Sequence, residues 1–373
     1  MSIGKKREYD MGDLLDTASR YLVATKQYFS NYSAAPLLWF FSETLFGNFV
    51  AVLIGAFLLK FLVRSIFYRK SSVKGKNVFI TGGSTGIGFS IALEYAKLGA
   101  NVCIFARTES KLVAAKEKLL EACSSSGNSG SHVEYVCMDV TSYESVKDAF
   151  DEAAIVVGEP DVLVTAAGQA FPGYFLDQDP SVFEKTMRLN YMGNVHSIKA
   201  AIPYMVQRKS GNICIIASAT SCVSFIGYSS YAPTKFALRG LADSLRSEMN
   251  GFGVAVSIAY PPDTDTPGFK IENEKKPKET LACFPADPYS AESVAQSCVD
   301  GIRLGDYHIQ SPDFLQNLLI SSMSGVTPRA YTIFEILFLP IISLVEVPFY
   351  MWFDYQARTY ANRVIAEDKK KQD

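Results

Sequence analysis

Residues 77–99 read NVFITGGSTGIGFSIALEYAKLG, and this stretch predicts the fold of the middle of the chain. A β-branched run leads into the glycine-rich segment TGGSTGIG at 81–88, and an amphipathic helical pattern follows. Gly82, Gly86 and Gly88 allow a tight turn and a close approach of the backbone to a pyrophosphate, while the helix start supplies free N–H groups. The order of strand, loop and helix therefore predicts a dinucleotide-binding unit, which a glycine-rich loop alone would not.

The same alternation continues to about Pro312. Short β-branched runs separate longer amphipathic segments, which is the pattern of repeated βαβ units around a buried parallel sheet. We therefore predict an α/β, doubly wound Rossmann fold with a seven-stranded parallel sheet. The predicted strands are NVFI at 77–80, NVCIFA at 101–106, VEYVCM at 133–138, VLVTA at 162–166, GNICIIAS at 211–218, VAVSIAY at 254–260 and YHIQ at 307–310.

Arg107 lies at the end of the second predicted strand. A site for NAD usually has an acidic residue there, which binds the ribose, whereas an arginine accommodates the 2′-phosphate of NADP. The alternative is an exposed ion pair between Arg107 and Glu109, which would have little energetic consequence. The position predicts NADPH as the cofactor.

A Tyr-x-x-x-Lys pair supplies candidate chemistry. Tyr231 and Lys235 in YAPTK are spaced to share one face of a helix, and Ser218 ends the strand before them. A phenol with a pKa near 10 is a weak acid at neutral pH unless a nearby cation stabilises its phenolate, and a lysine one turn away can do so. Such pairs occur by chance in many helices, but the position after a nucleotide loop and a strand-end serine favours a reacting centre.

Further motifs complete a family pattern. Asp139 follows the third predicted strand, Ala166-Ala167-Gly168 follows the fourth, and Asn190 lies in a helical segment. Together with TGGSTGIG and the Ser, Tyr and Lys described above, these motifs resemble the short-chain dehydrogenase/reductase family over residues 74–312.

The resemblance implies a catalytic tetrad of Asn190, Ser218, Tyr231 and Lys235. In that family the serine positions the substrate oxygen and the tyrosine gives or takes its proton. The lysine lowers the pKa of the tyrosine and holds the nicotinamide ribose, and the asparagine anchors a proton-relay water. The expected activity is ketone reduction, in which the cofactor carries the hydride and the protein supplies position and proton.

Two positions depart from the family pattern. Ala166 stands where an asparagine is usual, and Pro233 interrupts the tyrosine motif. Neither removes a reacting group, and we expect Pro233 to fit in the first turn of its helix. The predicted cofactor contacts are Gly82, Ser84, Thr85, Gly86, Ile87, Gly88, Arg107, Lys111, Asp139, Val140, Ala167, Gly168, Tyr231, Lys235, Pro261 and Thr264.

A narrower resemblance concerns the substrate. The segment YPPDTDTPGF at 260–269, Arg107 and the apolar segments at both ends resemble the 3-ketodihydrosphingosine reductases. That family reduces 3-ketosphinganine to sphinganine with NADPH in sphingolipid synthesis, on the cytosolic face of the endoplasmic reticulum. Its substrate combines a ketone, a protonated amine and a long alkyl chain. Asp263 or Asp265 is a candidate for binding the amine; alternatively they cap the following helix or brace the turn. Residues 270–289 are expected to form a mobile lid with solvated charges.

The composition limits other classes of function. The 373 residues carry 36 Lys and Arg against 38 Asp and Glu, a net charge of −2, which argues against nucleic-acid binding driven by charge. Seven scattered cysteines without a CxxC pair indicate no disulfide framework and favour a reducing compartment. The three histidines have no ligand spacing, so no metal is expected.

The N-terminal part contains a predicted transmembrane helix. Residues 44–63 read TLFGNFVAVLIGAFLLKFLV, 20 residues with one charge. At about 1.5 Å per residue this helix is about 30 Å long, which is one hydrocarbon thickness. Basic residues cluster just after it, between Arg64 and Lys76, and the positive-inside rule then places the main domain in the cytosol. A buried helix of a soluble core is the alternative.

The C-terminal part contains a second apolar stretch, residues 330–353, with two glutamates and two prolines. These residues disfavour a straight span and favour a hairpin in one leaflet, whereas packing on the core or on a dimer partner is the alternative. Lys370 and Lys371 resemble a dilysine retrieval signal, which predicts the endoplasmic reticulum membrane. The predicted divisions are an N-terminal extension (1–43), the transmembrane helix (44–63), the reductase domain (74–312), a C-terminal apolar membrane-associated segment (313–353) and a basic tail (354–373).

The expected partners are a long-chain amino ketone lipid and the membrane, with no nucleic acid. A homo-oligomer is open, since relatives pair through the helices that carry Asn190 and Tyr231. Two other functions also stay open. One is a membrane-anchored steroid or retinoid reductase of the same fold, and the other is a non-catalytic scaffold that binds lipid or nucleotide. The complete tetrad argues against the scaffold.

Overall fold

The computed structural model describes residues 69–283, 287–324, 327, 347–348 and 351–367. The predicted transmembrane helix at 44–63 and the predicted dilysine signal lie outside the described residues. Within the described ranges, no helix has both the length and the apolar character needed to cross a membrane.

The predicted parallel sheet is confirmed. In chain order the strands are β1 (Asn77–Thr81), β2 (Asn101–Ala106), β3 (Val133–Cys137), β4 (Val162–Thr165), β5 (Gly211–Ile216), β6 (Val254–Ala259), β7 (Thr264–Asp265), β8 (Tyr289–Ser290) and β9 (His308–Ile309). Seven of them are hydrogen-bonded in the order β3-β2-β1-β4-β5-β6-β9, and all of these pairs are parallel. Strands β7 and β8 form a separate two-stranded pair, which the sequence pattern did not predict. Strand β5 ends at Ile216, so Ser218 lies in the turn beyond the strand.

Helices cover both faces of the sheet. The helices are α1 (Gly86–Lys97), α2 (Glu109–Ser125), α3 (Tyr143–Val156), α4 (Pro180–Met187), α5 (Gly193–Arg208), α6 (Ala232–Asn250), α7 (Pro267–Asn273), α8 (Lys278–Cys283), α9 (Ala291–Leu304) and α10 (Phe314–Met323). A π-helical turn, Arg188–Met192, joins α4 to α5. Helices α1, α2 and α9 cover one face and α3, α5 and α6 cover the other, so the doubly wound architecture is confirmed.

Alternate side chains of each strand enter two separate cores. On β1, Phe79 points to one face, where its ring contacts Phe105 and Phe150 with centroids 5.3 and 5.4 Å apart. Ile80 points to the other face and packs in the same cluster as Ile91 of α1. Strands buried on both faces explain why the sequence shows continuous apolar runs instead of a polar and apolar alternation.

The strand order positions the site. Strand β1 lies between β2 and β4, and the chain leaves β1 and β4 toward opposite faces of the sheet. In open parallel sheets this reversal opens a crevice at the carboxyl ends of the strands. The glycine loop, Arg107 and Ser218 all follow the carboxyl end of a strand, so they meet at this edge.

Helix α10 is the first part of the predicted C-terminal apolar segment, and it packs on the domain. Ile320 is buried, and Leu319 and Met323 contact the core, whereas Phe314 and Leu315 remain exposed. A helix over 351–367 follows later in the chain, and most of the residues between the two lie outside the described ranges.

Candidate active site

The glycine loop is shaped by close backbone contacts. Gly82 has a φ of +68°, and a Cβ there would lie 2.8 Å from the Ala167 nitrogen. A Cβ on Gly88 would lie 2.4 Å from the Gly82 oxygen. Helix α1 starts at Gly86, and its N-cap residue Thr85 makes no side-chain capping hydrogen bond, so the first N–H groups stay available at the cavity wall. A glycine-rich loop beside a helix start without a side-chain cap fits the pyrophosphate of a dinucleotide.

A cavity of about 850 Å³ extends along the carboxyl ends of the strands. Its wall includes the glycine loop, Arg107 and Lys111, and also the Ser218, Tyr231 and Lys235 side chains predicted to react. Every predicted cofactor contact lines this cavity except Asp139. The structure therefore brings the predicted nucleotide site and the predicted reacting groups together.

Arg107 lines the cavity, whereas Asp139 does not. Arg107 is exposed at the cavity wall, and within the described ranges it has no ion pair within 4 Å, so the alternative pair with Glu109 is not formed. The Asp139 carboxylate accepts hydrogen bonds from the Thr141 backbone nitrogen at 2.9 Å and the Thr141 hydroxyl at 2.8 Å. Asp139 thus closes the turn after β3 and is not part of the cavity wall, and its cofactor contact stays a prediction.

The reacting groups converge at the start of α6. Tyr231 is the N-cap residue of this helix, and Pro233 lies in its first turn, as predicted. The Lys235 Nζ lies 5.6 Å from the centre of the Tyr231 ring and donates a hydrogen bond to the Ile216 oxygen at 3.1 Å. Ser218 forms a hydrogen bond with Tyr231 from the turn after β5.

Burial changes the pKa values of both Tyr231 and Lys235. Burial raises the pKa of Tyr231, the nearby charges of Glu272 and Asp263 raise it further, and only the hydrogen bond with Ser218 opposes them. The lowering of the Tyr231 pKa by Lys235, which the family resemblance implies, stays a prediction. Burial also lowers the pKa of Lys235 to about 8. A protonated phenol is the form that can give a proton to a carbonyl oxygen, so this state suits reduction.

Asn190 holds the site together without lining the cavity. Its side chain is fully buried in the π-helical turn. The Nδ2 donates to the Gln169 oxygen at 3.0 Å and to the Thr234 hydroxyl at 3.2 Å, while the Oδ1 accepts from the Gln169 nitrogen at 2.9 Å. Asn190 thus fixes the loop after β4 to helix α6, which makes it a positioning residue; its water-anchoring role stays a prediction.

The two candidate aspartates lie in different places. The Asp263 side chain is 46% exposed and lines the cavity. Asp265 is outside the cavity wall and pairs with Lys270 at 3.2 Å, so no observation supports its predicted substrate contact. Neither caps α7, because Thr266 does so by accepting a hydrogen bond from the Phe269 nitrogen. Asp263 is the one that can reach a substrate.

The predicted lid, residues 270–289, contains charged side chains that are buried. Glu279 of α8 is 2% exposed and pairs with Arg363 of helix 351–367 at 3.1 Å. Tyr174 donates a hydrogen bond to Glu279 at 2.5 Å, and its ring stacks on Tyr360 with centroids 4.1 Å apart. The expectation that the charges of this segment are solvated is therefore wrong for Glu279, and also for Lys276, whose side chain is 5% exposed.

The family model for short chain dehydrogenase matches residues 76–277, more than half of the chain. The chain belongs to the short-chain dehydrogenase family. The matched residues include the glycine loop, Asn190, Ser218, Tyr231 and Lys235, whereas the part of the cavity wall formed by residues 283–353 lies beyond the match.

Curated relatives of this short-chain dehydrogenase carry two reductase names. The chain is 38% identical over 307 residues to a 3-ketodihydrosphingosine reductase of Dictyostelium discoideum, with coverage of 78% of this chain and 91% of that protein. It is 36% identical to a 3-ketodihydrosphingosine reductase of Bos taurus, covering 74% of this chain and 84% of that protein. It is 37% identical to a 3-dehydrosphinganine reductase of Danio rerio, covering 74% of this chain and 85% of that protein.

Solved structures share the fold. A short-chain type dehydrogenase/reductase from Mycobacterium ulcerans has a TM-score of 0.59 and 24% identity, covering 66% of this chain and 90% of that chain. An alcohol dehydrogenase from Thermococcus sibiricus, complexed with 5-hydroxy-NADP, has a TM-score of 0.54 and 23% identity, covering 64% of this chain and 95% of that chain. At these identities the likeness concerns the Rossmann architecture alone.

The buried ammonium of Lys235 predicts a pH-dependent stability. Its pKa is about 8 in the folded protein and near 10.5 in an unfolded chain. Between these values the unfolded chain binds a proton that the folded protein has released, so this group makes the free energy of unfolding rise with pH. We expect the melting temperature of the wild type to rise, relative to that of Lys235→Met, from about pH 8 to about pH 10.5.

Thermal unfolding at about pH 7.5 and about pH 10 measures this difference. Lys199→Met is the matched control, because Lys199 is exposed on α5 and its variant should follow the wild type at both pH values. A difference between Lys235→Met and the wild type that does not change with pH would contradict the buried ammonium.

Proposed function

We propose that this chain reduces 3-ketosphinganine to sphinganine with NADPH, as a step of sphingolipid synthesis. The observation that supports this proposal most directly is a single cavity. Its wall contains the glycine loop, the Ser218, Tyr231 and Lys235 group, and the Asp263 carboxylate. A ketone needs the first two features, and an amine beside the ketone needs the third. The names of relatives that are 36–38% identical over most of the chain support the same substrate.

Side chains of this protein supply the proton that the ketone oxygen receives. A reduced nicotinamide, when bound in the cavity, supplies the hydride to the carbonyl carbon. The Ser218 and Tyr231 hydroxyls hold the ketone oxygen, and Tyr231 gives its proton as negative charge develops there. The Lys235 ammonium, 5.6 Å from the Tyr231 ring centre, stabilises the phenolate that remains.

The preference for NADPH rests on two basic side chains. Arg107 and Lys111 line the same cavity as the glycine loop, and both are exposed. A guanidinium forms strong charge-assisted hydrogen bonds to a phosphate, and Arg107 has no competing ion pair within the described ranges. The 2′-phosphate of NADPH gives these groups a partner that NADH lacks.

The proposal includes attachment to the endoplasmic reticulum membrane through residues 44–63, with the catalytic domain in the cytosol. The length and apolar character of that stretch support it. The cavity wall also includes Ile271 and Leu315, which are 50% and 59% exposed, so an alkyl chain can extend from the ketone toward an apolar rim. Exposed Trp352 on helix 351–367 suits a membrane interface. Pairing of two copies stays a prediction.

A comparison of three substrates tests the proposal. Full-length protein purified in detergent is followed by NADPH absorbance with 3-ketosphinganine, a steroid ketone and retinal. We expect kcat/KM for 3-ketosphinganine to exceed the other two by at least about tenfold, because only this substrate offers an ammonium to Asp263. A higher kcat/KM with the steroid or with retinal would favour the steroid or retinoid reductase. No turnover of any of the three would favour the scaffold.

Replacement of Arg107 tests the cofactor. We expect Arg107→Ala to raise the KM for NADPH by roughly tenfold or more, the value of a lost charge-assisted hydrogen bond, and to change the KM for NADH less than about twofold. Glu109→Ala is the control, since it removes the alternative partner of Arg107 and should change neither KM. An equal rise in KM for both cofactors in Arg107→Ala would contradict a role at the 2′-phosphate.

A further inference from the structure

A charged group that the sequence analysis did not name borders the reacting tyrosine. Glu272 of α7 lines the cavity and accepts a hydrogen bond from the Tyr228 hydroxyl. Lys276 lies between two carboxylates, 3.2 Å from Glu272 and 3.8 Å from Asp263. The spacing of Glu272 and Lys276 is that of a helical ion pair, but no sequence pattern indicates that the pair faces a cavity.

Lys276 neutralises only half of this negative charge. Its side chain is 5% exposed, and its ammonium lies 4.2 Å from the centre of the Phe269 ring. In the described part of the chain, no second cation lies within 4 Å of Asp263 or Glu272. Two carboxylates and one ammonium leave a net charge of about −1 at the cavity wall. Partly buried charge without a counter-ion is unfavourable, and an incoming cation would remove this cost.

The two carboxylates differ in how far their oxygens remain free to accept hydrogen bonds from a ligand. Glu272 is 18% exposed and is engaged by Tyr228 and Lys276. Asp263 is 46% exposed, and its carboxylate accepts no hydrogen bond from any described residue. The Lys276 ammonium shows that the space between the carboxylates suits such a group, and Asp263 keeps acceptor oxygens for a second one.

This surplus charge acts on the proton donor. The groups that face Tyr231 are Ser218 after β5, Lys235 on α6, Tyr228 before α6, Glu272 on α7 and Asp263 after β6. The Glu272 and Asp263 charges raise the pKa of Tyr231 beyond the effect of burial. Both charges therefore oppose formation of the phenolate when Tyr231 gives up its proton.

We propose that Asp263 and Glu272 form a subsite for the ammonium of an amino ketone, and that the ammonium bound there balances the charge beside Tyr231, so that the substrate assists its own reduction. The inference rests on the proposed function and assigns Glu272 a specificity role. The carbonyl carbon gains a hydride, the oxygen gains the Tyr231 proton, the nicotinamide is oxidised by two electrons, and a phenolate remains beside Lys235. The ammonium at the neighbouring carbon stabilises both the developing alkoxide and this phenolate.

The subsite predicts opposite effects on two substrates. Full-length wild type and Glu272→Gln are compared with 3-ketosphinganine and with the matched hydroxy ketone in which hydrogen replaces the amino group. In Glu272→Gln we expect kcat/KM for the amino ketone to fall roughly tenfold or more, because a charge-assisted contact is lost. The kcat for the amine-free ketone should hold or rise, because a charge that opposes the phenolate is gone. A merely structural role of Glu272 would lower both.

Controls separate the possible outcomes. Glu274→Gln makes the same charge change two residues away on an exposed side chain outside the cavity, and it should keep the wild-type ratio of the two kcat/KM values. Asp263→Asn is a second test of the subsite, since its carboxylate holds no hydrogen bond whose loss would unfold the segment, and it should also reduce the ratio. Equal losses on both ketones in Glu272→Gln, or an unchanged ratio in both variants, would overturn the subsite while leaving the proposed function intact. A wild type that reduces neither ketone would overturn the proposed function itself.

Discussion

The ammonium of Lys235 is the group on which the rest of the site depends. Its side chain is buried, and a charge in that position requires polar partners. The Ile216 oxygen at the end of β5 supplies one at 3.1 Å, and the Tyr231 ring faces it from the preceding turn of chain. Gly168 borders the same place, and a Cβ there would lie in tight contact with the Asn190 Oδ1 at 3.1 Å and in ordinary contact with the ammonium at 3.8 Å. Strand end, loop and helix therefore have to meet at this ammonium before any chemistry is possible.

Features that depend on a local pattern were predicted well. The strand Asn101–Ala106 matches the predicted run at both ends, because a buried parallel strand is a short apolar run between turns. The glycine loop and Pro233 were also predicted, since backbone conformation and the missing N–H restrict where these residues fit. Ser218 was assigned to a strand and lies just beyond it, because apolar character continues past the last ladder hydrogen bond.

Features that depend on distant contacts were not predicted. Glu279 and Arg363 are 84 residues apart, and each looks like a solvated charge until the fold brings them together. Glu272 and Lys276 were assigned to a solvated run for the same reason. Asp139 and Asp265 have suitable chemistry for a site, but their backbone positions direct them to Thr141 and Lys270. Burial first, and then the charges of Glu272 and Asp263, raise the pKa of Tyr231, and sequence spacing alone shows neither.

The central claim is that Tyr231 delivers the proton to a ketone held in the nucleotide cavity. The most direct measurement compares turnover of 3-ketosphinganine and equilibrium binding of NADPH in wild type and Tyr231→Phe. Because a positioned general acid contributes about 10²- to 10⁴-fold, we expect turnover to fall by at least about 100-fold while the Kd for NADPH stays within about twofold. Turnover within about tenfold of the wild type, with NADPH still bound, would contradict the account.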